Sequence, residues 1–291
     1  MLTKMFCLID DFCKCLKASA EGKKLLGNSS VSRRQEGLSL SERMTIIVLF
    51  HRMGWRNFKN FYNHYVCHHL RKEFPRLTSY ERFVALMPRT LLPLIALMNK
   101  LKGKSRGIAF ADSTTIKVCH IKRDKRNKVF AGIAKKSRSS MEWFFGFKLH
   151  LIVNDVGEII SLHLSPGNTD DRKPIPAMTK GLFGKLFGDK GYISNSLSAK
   201  LLQRGLKLIT NLRGNMKNRL TPLHDKLMLR KRFIIETIND QLKNISQIEH
   251  TRHRSPINFL INLFAGLIAY CLQPKKPTIK IGTGSSLLIE S

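Results

Sequence analysis

Among 291 residues carrying 51 Lys and Arg against 20 Asp and Glu, the carboxylates set in apolar or glycine-rich surroundings are the ones that call for a chemical reason. Asp112 stands in Ile-Ala-Phe-Ala-Asp-Ser-Thr, at the end of what reads as a buried strand, and Asp189 in Leu-Phe-Gly-Asp-Lys-Gly-Tyr, just after another. A buried, unpaired carboxylate is costly, so each needs a cation, and two held close together repel unless a metal lies between them. Mg²⁺ takes hard oxygen ligands of this kind and keeps water or phosphate oxygens in its shell. The competing reading for either Asp taken singly is a strand-end residue that caps a helix or pairs with lysine.

Glu236 supplies a third carboxylate, in Arg230-Lys-Arg-Phe-Ile-Ile-Glu-Thr-Ile-Asn-Asp-Gln-Leu-Lys243. At about 100° per residue, Arg232, Glu236 and Lys243 fall within about 40° of one another on a helix. Ile234, Ile235, Ile238, Leu242 and Ile245 point broadly the other way, so this helix is anchored by its apolar face and presents Arg, Glu and Lys together. An i, i+4 ion pair accounts for Arg232 and Glu236 but leaves Lys243 unexplained.

The elements that must position these groups fall into two parts. Residues 1–101 read as a helical N-terminal DNA-binding domain. Ser39-Leu-Ser-Glu42 and Thr78-Ser-Tyr-Glu81 are capping boxes, Gly54 stops the first of these helices, Trp55 to Val66 starts another, and Pro88 and Pro93 interrupt the helix towards Leu97. Short helices with tight turns fit a helix-turn-helix module and equally a plain bundle. After a Gly- and Lys-rich linker at 101–107, Ile108–Phe110 start a strand that carries Asp112 at or near its end, and strands are expected at Trp143–Val153 and Glu158–Leu164, these two joined through Asn154-Asp-Val-Gly157. A helix over Asp170–Leu182, a strand at Lys185–Phe187, a helix at Ser194–Arg204, a strand at Leu206–Leu212 and helices at Leu227–Ser246 and Ser255–Leu272 complete the order β-β-β-α-β-α-β-α-α. Lys122–Ser140 reads as a basic mobile loop, and Trp143 as core beside Phe144 and Phe145. Residues 108–273 thus read as one α/β domain and 274–291 as a flexible tail.

A formal charge of +31 points to a polyanion partner, most often nucleic acid, rather than to an ordinary metabolic enzyme. Lys100–Arg138 alone carries 13 Lys or Arg against Asp112 and Asp124, a stretch suited to gripping phosphates, with affinity that falls as salt rises. Asp10 and Asp11 interrupt what would be a secretory signal, and the run Phe259–Leu272 is too short to span a bilayer, so a cytoplasmic, nucleoid-associated protein with no membrane partner is expected. The six cysteines contain no CxxC pair and fit a reducing compartment. A zinc site from His64, Cys67, His68 and His69 competes with a plain solvated helix surface, and no second ligand cluster follows.

Asp112 after the first strand, Asp189 in Gly-Asp-Lys-Gly-Tyr, and Arg232-x3-Glu236-x6-Lys243 together resemble the DDE transposases of bacterial insertion sequences, in particular those with a Y-R-E-K signature around the catalytic glutamate. The resemblance runs from about Phe110 to Tyr270. The signature's Tyr would fall where this chain has Leu229. It implies a ribonuclease-H-like fold, a mixed five-stranded sheet flanked by helices. In that fold the first and fourth strands are neighbours, setting Asp112 beside Asp189 with the late helix bringing Glu236 over them. The segment Leu162–Asp171 also looks like the family's stretch after the third strand, with Asp170 and Asp171 read as helix-start residues.

The resemblance also implies a reaction. Asp112, Asp189 and Glu236 would be catalytic and would hold two Mg²⁺ ions, with Mn²⁺ able to substitute, roughly 3.5–4 Å apart. Water would cut at the element end, and the freed 3′-OH would then attack target DNA. Arg232, Lys243, Lys190 and Arg254 would contact DNA. The partners would be the element's terminal inverted repeats and target duplex, engaged by a dimer or higher oligomer. Three other readings stay open: an idle transposase acting as a repressor, a metal-dependent nuclease without strand transfer, and an RNA-binding protein, which explains the charge but not the three acids.

Overall fold

The computed structural model describes residues 1–26, 37–139, 142–212, 221–249 and 253–279. Six strands form a mixed sheet: β1 Ile108–Cys119, β2 Lys135–Arg138, β3 Trp143–Asn154, β4 Ile159–Pro166, β5 Gly184–Gly188 and β6 Leu206–Thr210. Their order is β2-β3-β1-β5-β6, with β4 also on β3. The fold is the ribonuclease-H-like one expected, with one strand more than five. β2 lies inside the segment read as a loop and pairs antiparallel with the start of β3, Lys135 opposite Gly146 and Arg138 opposite Trp143. Gly146 is needed there, because a Cβ would lie 2.1 Å from the Ile116 carbonyl oxygen. The described chain packs into two compact units, one of Met1–Lys102, Ile116–Phe147 and Asp240–Gln273, the other of Gly103–Thr115, Lys148–Asn239 and residues 274–279. Residues 280–291 of the expected tail lie outside the described residues.

The first unit is largely helical. Leu2–Ala18 buries Met5, Ile9, Phe12 and Leu16, a spacing of four, three and four that keeps one stripe of the helix apolar. Leu40–Arg52 begins at the expected capping box, where Ser39 Oγ accepts from the Glu42 N–H at 3.1 Å and Glu42 Oε2 accepts from the Ser39 N–H at 2.6 Å. The later cap is Ser79 rather than Thr78, its hydroxyl accepting from the Arg82 N–H. Tyr80–Lys100 is the one described stretch long and apolar enough to cross a membrane, but it is 44% buried and a 3-10 turn at Met87–Thr90, carrying Pro88, interrupts it. Pro256–Cys271 packs on Leu40–Arg52 and Leu91–Lys100 and is buried on nearly every side, which explains its continuous apolar sequence. Its single buried amide, Asn262, donates to the Ile248 carbonyl at 3.3 Å. His51 Nδ1 lies 2.6 Å from the Ser246 carbonyl oxygen, tying Leu40–Arg52 to the chain just after residue 245.

The second unit is built on parallel pairs. β1 pairs with β5 and β5 with β6, both in parallel. Its core joins Ala109, Ala111, Ile152, Leu186 and Leu206 from the sheet with Ile175, Leu197 and Leu201 from helices. β1 is much longer than expected, so Asp112 stands within a strand rather than at its end. The expected helix over 170–182 shrinks to one turn, Ile175–Met178. Lys185 on β5 donates to the buried Asp225 at 2.6 Å, fixing Leu223–Arg230 against the sheet.

Candidate active site

Strand register sets the first two acids. Phe110 pairs with Phe187 across the parallel β1 and β5, and the two rings stack with centroids 5.5 Å apart. Asp112 and Asp189 each follow their Phe by two residues, so both carboxylates come off adjacent chains at the same level. Asp189 caps a 3-10 turn, its Oδ1 accepting from the Gly191 N–H at 2.9 Å.

The helix Phe233–Asp240 brings the third. Ile234, Ile235 and Ile238 bury its apolar face, leaving Glu236 exposed on the other. Arg232, just before the helix, bridges two of the acids: its Nη2 lies 2.5 Å from Glu236 Oε1 and its Nη1 3.8 Å from Asp112 Oδ1. Asp112 also receives a hydrogen bond on Oδ2 from Asn239 Nδ2, at 3.0 Å. Burial pushes the Asp112 carboxyl up to about 6, against the pull of the Arg232 guanidinium, and Asp189 and Glu236 add smaller upward pushes. Asp189 and Glu236 are thus both near enough to Asp112 to bear on its charge.

The donors are right in kind for a hard divalent ion, three carboxylates from neighbouring elements. Their spacing is not that of a closed ligand set, since among the described residues no three His, Cys, Asp or Glu side chains gather closely enough to hold one ion. The guanidinium of Arg232 stands where positive charge is needed between Asp112 and Glu236.

Lys243 is placed differently from the expectation. The single helix over 227–246 is instead Leu223–Arg230, then Phe233–Asp240, then a π-helical turn Gln241–Ile245. A π turn takes more residues per turn, so the 100° count that aligned Lys243 with Glu236 does not hold there. Lys243 pairs with Glu249 at 3.2 Å. Lys190 and Arg254 are exposed. Leu229, at the signature's Tyr position, is buried and offers no hydroxyl. Trp143 is not core: it is 53% exposed, with Lys136 Nζ 5.7 Å from the ring centroid.

Sequence reasoning missed several residues around Asp112. Asp171 begins no helix. Its Oδ1 accepts from Ser113 Oγ and from Lys148 Nζ, each at 3.0 Å, and so ties β1 to β3 beside Asp112. Asp170 pairs with Arg172, whose hydrogen bonds hold its carboxyl down at about 2. Tyr192 is buried to 1% exposure and its hydroxyl has no hydrogen-bond partner among the described residues. Burial raises its phenol far above the usual range, with Asp112 adding to the effect. The position of Tyr192 at the end of Gly-Asp-Lys-Gly-Tyr was the available signal.

A mixed sheet flanked by helices, with Asp112 on β1 level with Asp189 just after β5, is a ribonuclease-H-like arrangement. The model of the Transposase DDE domain family matches residues 102–256, more than half of the chain, and the chain belongs to that family, whose work is DNA transposition and recombination. Among solved structures, the piggyBac transposase synaptic complex with hairpin DNA is similar at TM-score 0.51 and 10% identity, over 93% of this chain and 74% of that one. The Mos1 strand transfer complex aligns at TM-score 0.25 and 11% identity, over 84% of this chain and 80% of that one. No curated protein matches the sequence.

Proposed function

We propose that this transposase cleaves DNA at the ends of a bacterial insertion sequence and joins the freed 3′-OH to target DNA, with Asp112, Asp189 and Glu236 as its catalytic acids. The observation that carries the reading is the level pairing of β1 and β5, which sets two acids side by side where a third reaches them. Two divalent ions, Mg²⁺ or Mn²⁺, would supply activation of the attacking oxygen and stabilisation of the leaving 3′ oxygen. Asp112, Asp189 and Glu236 would hold them.

Arg232 has a double part in this reading. With no divalent ion bound it keeps Asp112 and Glu236 from repelling each other. With the acids otherwise engaged, its planar fork is free for a phosphate beside the scissile bond. The exposed Lys190 and Arg254 serve as further phosphate contacts, as does Lys243 once it leaves Glu249. Residues 1–101 serve as the module that reads the element ends, with residues 108–273 as the catalytic domain, and a dimer or larger assembly brings two ends together.

The test is incubation of the full chain with Mg²⁺ and labelled duplex taken from the DNA flanking this reading frame, scoring nicked and joined products. Joining supports the transposase reading. Cutting alone leaves a nuclease, and binding alone a repressor.

A further inference from the structure

The geometry points to Asn239 as a positioning residue for Asp112, holding one carboxylate oxygen so that the other faces the cation. This inference rests on the reading of Asp112 as a metal ligand. Asn239 lies three residues after Glu236 on the same helix, so a single element delivers an acid and an amide to one side. Its Nδ2 donates to Asp112 Oδ2 at 3.0 Å, while Asp112 Oδ1 faces Arg232 Nη1 at 3.8 Å. The two oxygens of one carboxylate therefore have separate partners. Oδ2 is fixed by a neutral donor, and Oδ1 is turned to positive charge.

The orientation of the amide follows from the same contact. Turned the other way, Asn239 would set its own oxygen against a carboxylate, which is repulsive, so the donor must face Asp112. The cost is visible on the far side. Asn239 is only 8% exposed, and its Oδ1 is buried with no hydrogen-bond partner among the described residues. Its neighbours on the helix, Ile235 and Ile238, are fully buried. An apolar side chain at 239 would pack there without stranding a polar atom, so a purely structural demand favours leucine over asparagine. The amide is explained by what it does to Asp112. Groups that orient a metal ligand in this way change metal affinity when removed, even though they never touch the metal.

The experiment compares the full chain with Asn239→Leu, Asn239→Ala and Asp112→Asn. Leucine keeps the γ-branch and heavy-atom count of asparagine but is bulkier, whereas alanine is smaller, so the two variants err in opposite directions on packing, and a circular-dichroism melt qualifies each variant. Mn²⁺ binding is read by the electron paramagnetic resonance signal of the free ion, without DNA, and nicking of the flanking-DNA duplex is titrated with Mg²⁺. Both Asn239 variants should need roughly 10-fold more Mn²⁺ for half-saturation, and a matching increase in Mg²⁺ for half-maximal nicking, with DNA binding unchanged. A folded Asn239 variant whose half-saturation stays within about twofold of wild type overturns the positioning role. So does a loss of nicking at every Mg²⁺ concentration with Mn²⁺ binding unaltered. If the wild type shows no saturable Mn²⁺ binding, or Asp112→Asn retains it, the reading of Asp112 as a ligand fails instead.

Discussion

Two buried groups of titratable side chains in this protein are handled in opposite ways. In the helical unit, His51 and His253 are kept neutral: burial pushes both down to about 4, with each ring's Nε2 left without a hydrogen-bond partner among the described residues. In the sheet unit, Asp112 is pushed up to about 6 by burial, yet Arg232 and Asn239 both support its charged form. The buried histidines are left to lose their charge, whereas the buried Asp112 has partners that favour keeping it.

The two groups also tilt stability in opposite directions with pH. His51 and His253 have folded pKa values below the ordinary 6.5, so the unfolded chain takes up protons first and stability is lost as pH falls from about 6.5 towards 4. Asp112 has a folded pKa above the ordinary 3.8, so its contribution is present below that value and is lost as pH rises through about 6.

The sharpest way to break the contrast is Asp112→Asn. Cleavage should fall by on the order of a thousandfold, the loss of several kcal/mol of charge stabilisation, while binding to the flanking duplex persists. The same variant without divalent ion should melt no lower than wild type at pH 8, because a buried charge has gone. A clear drop in melting temperature there would mean that Asp112 is held for structure. Next in size is replacement of His51 by Ala, expected to cost about 2–3 kcal/mol through the lost contact with the Ser246 carbonyl and a cavity beside Gly266. Urea unfolding at pH 7.5 measures it, and the fall in stability between pH 6.5 and 4 should become shallower.

Arg232→Ala should cost about 1–2 kcal/mol at pH 8 without metal, a figure reduced because Arg232 and Asp112 are each about one-fifth exposed. Adding Asp112→Asn to it should recover most of that loss, which a double-mutant cycle reads directly. The smallest effect belongs to Ser39→Ala, about 1 kcal/mol from the capping box, with nicking per folded molecule unchanged.

The neighbouring placement of Asp112 and Asp189 was legible in the sequence because carboxylates in apolar settings, in a chain otherwise so basic, are conspicuous. The strands around them were legible because their apolar runs and turn residues are local signals. What was hidden depends on partners distant in sequence. Lys135–Arg138 has no apolar alternation, and only the waiting edge of β3 makes it a strand. Asp171 resembled a helix start until Ser113 and Lys148 claimed it. The π turn at 241–245 cannot be seen in a hydrophobic period, so Lys243 was aligned with Glu236 on a helix that does not continue. Asn239 gave no signal at all, because an asparagine in a helix is ordinary until its neighbour is known.

The ladder between β1 and β5 has one more consequence. Asp112 and Asp189 are far apart along the chain, yet their alignment depends on three paired residues, Ile108 with Lys185, Ala109 with Leu186 and Phe110 with Phe187. A slip of one residue in the ladder turns an aspartate to the opposite face. The architecture is thus intolerant of misregistration: three residue pairs at the start of β1 decide the level at which Asp112 and Asp189 leave their strands.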